Sequence, residues 1–72
     1  MDIKVNIGNR IKALREEANI TQKDLSFSSD LDRSYIAGVE SGKRNISIKN
    51  IERIAKALNI SVKDFFDSNE FN

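Results

Sequence analysis

Apolar residues recur along this chain at the three- and four-residue intervals of an α-helix. Ile7, Ile11, Leu14 and Ala18 follow the i, i+4, i+7, i+11 rhythm and predict an amphipathic helix over about residues 5–18, with a narrow apolar stripe and a structural role. Between residues 21 and 44 the apolar positions are Leu25, Leu31, Ile36 and Val39, which is too short a rhythm for one helix and fits two. The first opens on Thr21, whose hydroxyl can cap it, and breaks near Asp30; Ser26 is the small residue expected where two helices cross closely. Asp32 is the next cap, residues 33–41 form the second helix, and Gly42 supplies the left-handed residue that ends it. Ile48, Ile51, Ile54, Ala55 and Leu58 predict a helix over about 48–58, capped by Ser47 and ending at Asn59. Ser61 then caps a short last helix carrying Val62, Phe65 and Phe66, with Phe71 in the tail. The expected architecture is an all-α, compact five-helix bundle.

Inward Ile36 and Val39 turn Arg33, Ser34, Ala37 and Gly38 outward. An outer face with Arg and Ser beside two side chains of minimal bulk can approach another surface closely, and a basic loop follows it directly. That is the arrangement a protein needs to read DNA; a solvated helix face that happens to be small is the plain alternative.

Length and charge sharpen this. At 72 residues the chain is expected to be a single domain over 1–72, with its core at about 5–67. A core this small stabilises only marginally, so a partner subunit is expected. There is no Cys and no His, which removes disulfides, the thiol nucleophile and the commonest zinc ligands. The carboxylates are scattered as solvated charge, so no catalytic residue, metal or cofactor is called for and the chain is not expected to be an enzyme. The net charge is only +1, from 12 basic and 11 acidic residues. Yet Lys43, Arg44, Lys49, Arg53 and Lys56 gather against Glu52 alone, while Asp64, Asp67 and Glu70 make the tail mildly acidic. Positive charge therefore collects beside the candidate reading helix. No signal pattern and no membrane-length apolar run is present, which gives the expectation of a cytoplasmic, nucleoid-associated protein without membrane contact.

The pattern TQxxLS at 21–26, followed by LDRSYIAGVESGKRN at 31–45, resembles the Xre and phage-repressor class of helix-turn-helix DNA-binding proteins. The segment 31–51 is similar in particular to the controller proteins of restriction–modification systems, and the likeness extends over about residues 7–66. The class usually places Gly where this chain has Asp30. Aspartate tolerates the left-handed conformation better than most residues, so the turn should survive at some cost in stability. The resemblance implies a partly buried ion pair between Arg15 and Glu40, and counterparts of Arg33, Ser34, Tyr35, Arg44, Asn45 and Asn50 at or near DNA. Asn50 departs from the smaller residue often found there. It also implies a homodimer through the C-terminal helices, and a regulator that activates its own promoter at low occupancy and represses it once a second dimer loads. Activation needs a contact with RNA polymerase, for which Glu40 or Asp24 are candidates.

Chemistry assigns the roles more finely. The planar fork of Arg33 can donate two bonds to N7 and O6 of guanine in the major groove. Ser34 suits a base or a phosphate, Tyr35 is expected to pack beside Ile36 and offer only its hydroxyl, and Ala37 and Gly38 leave room for a thymine methyl. Gln22, Lys43, Arg44, Asn45, Ser47 and Asn50 are expected as phosphate contacts that set register, with the start of the helix at Ser47 as a backbone clamp or simply an ordinary cap. Adjacent residues on a helix differ by about 100 degrees, so Phe65 and Phe66 cannot both face one core. One of them, with Val62, is expected at the dimer interface; the competing reading is that both rings cover the bottom of a small core. A dimer would place two reading helices roughly 34 Å apart on an inverted-repeat, double-stranded operator. The other readings are a phage-type repressor or antitoxin, and a helical module whose basic face meets an acidic protein.

Overall fold

The computed structural model describes residues 1–72 as five α-helices and a terminal 3-10 turn: α1 (Ile3–Glu17), α2 (Gln22–Ser29), α3 (Arg33–Glu40), α4 (Ile48–Ala57), α5 (Val62–Phe66) and the turn Asn69–Phe71. No helix is long and apolar enough to cross a membrane.

One joint recurs. After α1, α2 and α4 the chain enters the left-handed region at Asn19 (φ 57°), Asp30 (φ 58°) and Asn59 (φ 62°). The next residue, Ile20, Leu31 or Ile60, donates its N–H to the carbonyl five residues back and rests against the core. The residue after that, Thr21, Asp32 or Ser61, is the N-cap of the following helix. Each joint satisfies the orphan carbonyls of one helix, plants an apolar anchor and starts the next helix in three residues. Asp30 thus does hold the left-handed turn. The joint after α3 has the same hydrogen bond, from Lys43 N–H to the Gly38 carbonyl, with Gly42 at φ 78°. Its second residue is the exposed Lys43 rather than an apolar one, so this loop lies on the surface.

The core consists of Ile7, Ile11, Leu25, Ile36, Val39, Ile51, Ile54, Ala55 and Phe65. It differs from the periodicity at four places. Ala18 is exposed because α1 ends at Glu17, before its stripe completes another turn. Ile48 is 85% exposed, since α4 starts there and its first turn projects beyond the helices it packs on. The small residue buried in α2 is Ser29 rather than Ser26, its hydroxyl turned back on the Leu25 carbonyl at 2.6 Å. Asp32 has the extended backbone of a cap but makes no side-chain capping bond.

At the base, Phe65 is completely buried; Phe66 meets it edge-on at 5.0 Å, and Phe71 closes over Phe66 at 4.9 Å. Phe65 is therefore not an interface residue, and both rings cover the bottom of this chain's own core. Arg10 locks α5 to α1, its Nε donating to the Phe65 carbonyl at 2.7 Å and its Nη2 to the Asp64 carbonyl at 2.8 Å. The Phe65 carbonyl lies at the helix end, where backbone partners run out, while the Asp64 carbonyl also accepts the Asp67 N–H.

α2 opens on a capping box: the Thr21 hydroxyl accepts from the Asp24 N–H at 3.0 Å, and the Asp24 carboxylate accepts from the Thr21 N–H at 3.2 Å. That backbone donor, followed by the Thr21 hydroxyl, holds the Asp24 carboxyl below the ordinary aspartate range. A lowered folded-state pKa means the unfolded chain binds the proton first as pH drops. The contribution is thus complete above the ordinary aspartate pKa and lost as pH falls through the folded value. Asp24→Asn should flatten that part of the acid limb in a pH series of urea midpoints, and an unchanged limb would remove the box from the acid response.

Candidate nucleic-acid interface

Ile36, Val39 and Glu40 fix the orientation of α3. Ile36 and Val39 are buried in the core and Glu40 is buried beside it, which leaves Arg33 and Ser34 exposed along the opposite edge. Glu40 is held from two helices. Arg15 of α1 donates from Nε to Oε2 at 2.8 Å and from Nη2 to Oε1 at 3.0 Å, while its third nitrogen, Nη1, donates to the Ile20 carbonyl at 2.8 Å. The carboxylate raises the Arg15 pKa above its ordinary value, so the guanidinium stays charged. Gln22, the first residue of α2, adds its amide nitrogen to Oε1 at 3.2 Å. One buried carboxylate thus ties α1, α2 and α3 together beneath the outer face. Glu40 cannot reach a polymerase from there, and the Gln22 amide nitrogen commits one of its two N–H donors to it.

Tyr35 is half-buried on the flank of α3. Its hydroxyl accepts from Asn50 Nδ2 of α4 at 3.1 Å, and the Arg44 guanidinium lies 4.9 Å from its ring centroid, the distance of a cation–π contact. Residues from α3, the following loop and α4 meet here. Gly38 leaves no space for a thymine methyl, because the Arg44 stem already covers it. Lys43 and Arg44 both donate their backbone N–H to the Gly38 carbonyl, at 3.1 and 3.2 Å, and this holds the basic loop against the end of the helix. Lys43, Arg44 and Asn45 are exposed.

The Ser47 hydroxyl accepts from the Asn50 N–H at 3.1 Å. It consumes one donor at the start of α4, and the exposed Ile48 and Lys49 stand beside it. Arg33, Ser34, Tyr35, Arg44 and Asn50 therefore belong to one surface, continued by Lys43, Asn45 and Ser47 along the loop. Ala37, one turn after Arg33 and Ser34 on the same face of α3, borders a shallow recess with Lys12, Gln22 and Ser41 over the Arg15–Glu40 pair. Lys12 and Ser41 were not picked out by periodicity, since a lysine on a helix read as structural carries no signal until α2 is folded against it.

At the opposite end, Val62 is 41% exposed beside a groove between α4 and α5 lined by Ala55, Lys56, Asn59 and Ile60, and Phe66 is half-buried.

A helix-turn-helix family profile matches residues 11–65. The control protein C.MunI of a Mycoplasma species is 40% identical over 96% of this chain and 95% of its own. Among solved structures, the restriction–modification controller C.AhdI of Aeromonas hydrophila superposes with a TM-score of 0.87 at 42% identity, over 92% of this chain and all of that one. The controller C.Esp1396I, solved as a tetramer on its natural 35 base-pair operator, superposes with a TM-score of 0.85 at 42% identity, over 89% of this chain and 84% of its own.

Proposed function

Since this chain belongs to the helix-turn-helix family, and within it to the controller proteins of restriction–modification systems, we propose that it regulates transcription by binding its own promoter as a homodimer. It is a regulator and not an enzyme. The observation that carries the reading is the position of Arg33 and Ser34, exposed along α3 while the other side of that helix is buried. A phage-type repressor or an antitoxin would present the same face, and what differs is the gene beside it. A module for an acidic protein is disfavoured because the exposed groups at Arg33, Arg44 and Asn45 are of the kinds that read or grip nucleic acid.

In this reading Arg33 donates its fork to a guanine edge and Ser34 touches a base or phosphate beside it. Lys43, Asn45 and Ser47 grip phosphates, and Tyr35, Arg44 and Asn50 form the rest of the contact surface. Gln22 and Ala37 stand at its margin. Dimerisation uses the end opposite the reading face, around Val62 and the rim of Phe66. It sets two reading helices roughly one DNA turn apart on an inverted repeat. Promoter occupancy, in the cytoplasm on the nucleoid, then follows protein concentration. Activation at low occupancy requires an exposed contact with RNA polymerase, for which Asp24 of α2 is the remaining candidate.

A gel shift against excess competitor tests this: specific binding should persist and weaken steeply with salt. Arg33→Ala should lose about 1–3 kcal/mol of discrimination at one base position. Lys43→Ala should instead weaken all sequences alike and lower the salt slope by about one. Identical behaviour of the two variants would overturn this division of roles, and binding that competitor abolishes would overturn the function. In sedimentation equilibrium, a monomer at high micromolar concentration would overturn the dimer.

A further inference from the structure

Gly38 lies in the middle of α3, where glycine is the poorest helix former apart from proline, so its presence calls for a reason. A Cβ built there would come within 2.7 Å of Arg44 Cδ and 2.8 Å of Cγ. The bare backbone is thus the seat on which the Arg44 stem lies. The same side chain ends with its guanidinium over Tyr35, and Tyr35 is itself held at its hydroxyl by Asn50. Arg44 is therefore supported at both ends, by Gly38 under its stem and Tyr35 under its head. Its guanidinium forms no ion pair, the one in this chain being Arg15 with Glu40, and it remains exposed.

We propose that Gly38 is a specificity-determining position that acts without touching DNA, by seating Arg44 on Tyr35 so that its donor fork is ordered before DNA arrives. The inference rests on the DNA-reading function proposed above. A phosphate grip needs only charge on a flexible stem, which lysine supplies as well. A base edge needs donors fixed in direction, and a side chain already ordered loses little freedom on binding. The Gly38 seat and the Tyr35 platform serve the second need and add nothing to the first. Gly38 and Tyr35 are accordingly positioning residues, and Arg44 moves from the phosphate contacts to the base-reading ones.

The chain supplies its own reporter, because Tyr35 is its only tyrosine and there is no tryptophan. Four full-length proteins carry the test: wild type, Gly38→Ala, Arg44→Ala and the double variant. Each is measured for tyrosine emission without DNA and for base preference by selection from a duplex library with a randomised central window. Gly38→Ala should fold, since the atoms its methyl meets belong to a flexible side chain and alanine favours the helix; the circular dichroism should match wild type. Both single variants should shift the tyrosine emission. Both should lose preference at the same base position, roughly ten-fold, and Gly38→Ala should add nothing once Arg44 is gone. Arg44→Lys should lose the preference while keeping most of the salt-dependent affinity.

A Gly38→Ala protein that keeps wild-type preference, or loses it equally in the Arg44→Ala background, overturns the proposal. So does an emission change in Arg44→Ala that Gly38→Ala lacks. A wild-type protein that selects no sequence fails at the earlier step and overturns the DNA-reading function together with this inference. Selection by wild type with no effect of Gly38→Ala overturns this inference alone.

Discussion

Replacing Glu40 with alanine should bring the domain close to unfolding before it affects any contact with DNA. The Arg15 and Glu40 side chains are only 13% and 4% exposed. Removing the carboxylate leaves a guanidinium with two of its donors unmatched in a site that water scarcely reaches, and strands the Gln22 amide as well. Breaking one partner out of such a pair costs about 3–5 kcal/mol. A chain of this length is stable by roughly 4–11 kcal/mol in total, so the loss takes a large share of it. Urea titration followed by circular dichroism should show the midpoint collapse, with DNA affinity falling in proportion to the unfolded fraction. A Glu40→Ala protein that keeps its midpoint and loses only DNA binding would place Glu40 in the interface instead.

Phe65→Ala should be comparably damaging, and at the other end of the molecule. Phe65 heads the fully buried side chains of this core, and truncating a buried phenylalanine costs about 3–5 kcal/mol through lost burial and the cavity left behind. The Phe66 edge contact and the Phe71 lid lose their support in the same step. The comparison that decides is Val62→Asp. Val62 is partly exposed and should alter the stability of the folded protomer by no more than about 0.5 kcal/mol while dissociating the proposed dimer. If Phe65→Ala instead left the folded protomer intact and acted only on sedimentation, the ring would belong to the subunit contact after all.

Local signals located the elements because each helix boundary carries its own chemistry. Thr21, Ser47 and Ser61 cap where hydroxyls in an extended backbone must, and Gly42 adopts the left-handed turn that a helix end requires. Where periodicity misled about burial at Ala18 and Ile48, each residue sits at a helix end, where the rhythm outruns the packing. Ala18 and Ile48 keep the beat and stand in solvent, while Phe65, paired in sequence with a ring that had to face elsewhere, is the best buried of all. The geometry at the candidate interface was less legible. Arg33 and Ser34 are outward for a reason internal to α3. The convergence of Tyr35, Arg44 and Asn50 depends on how the loop after Gly42 folds back over α3 and onto α4.

Spacing, caps and residue type alone therefore determined that this chain is five helices, that α3 turns an arginine and a serine outward, and that a basic loop follows. These depend on interactions within a few residues, which are written in order along the chain. Only the tertiary structure decided that Glu40 gathers α1, α2 and α3 and is lost to any outside partner, that Phe65 closes the core, and that Gly38 is a seat for Arg44. Each of those joins side chains from different elements, and which of several nearby groups a long side chain meets is set by the packing of helices, not by the order of residues.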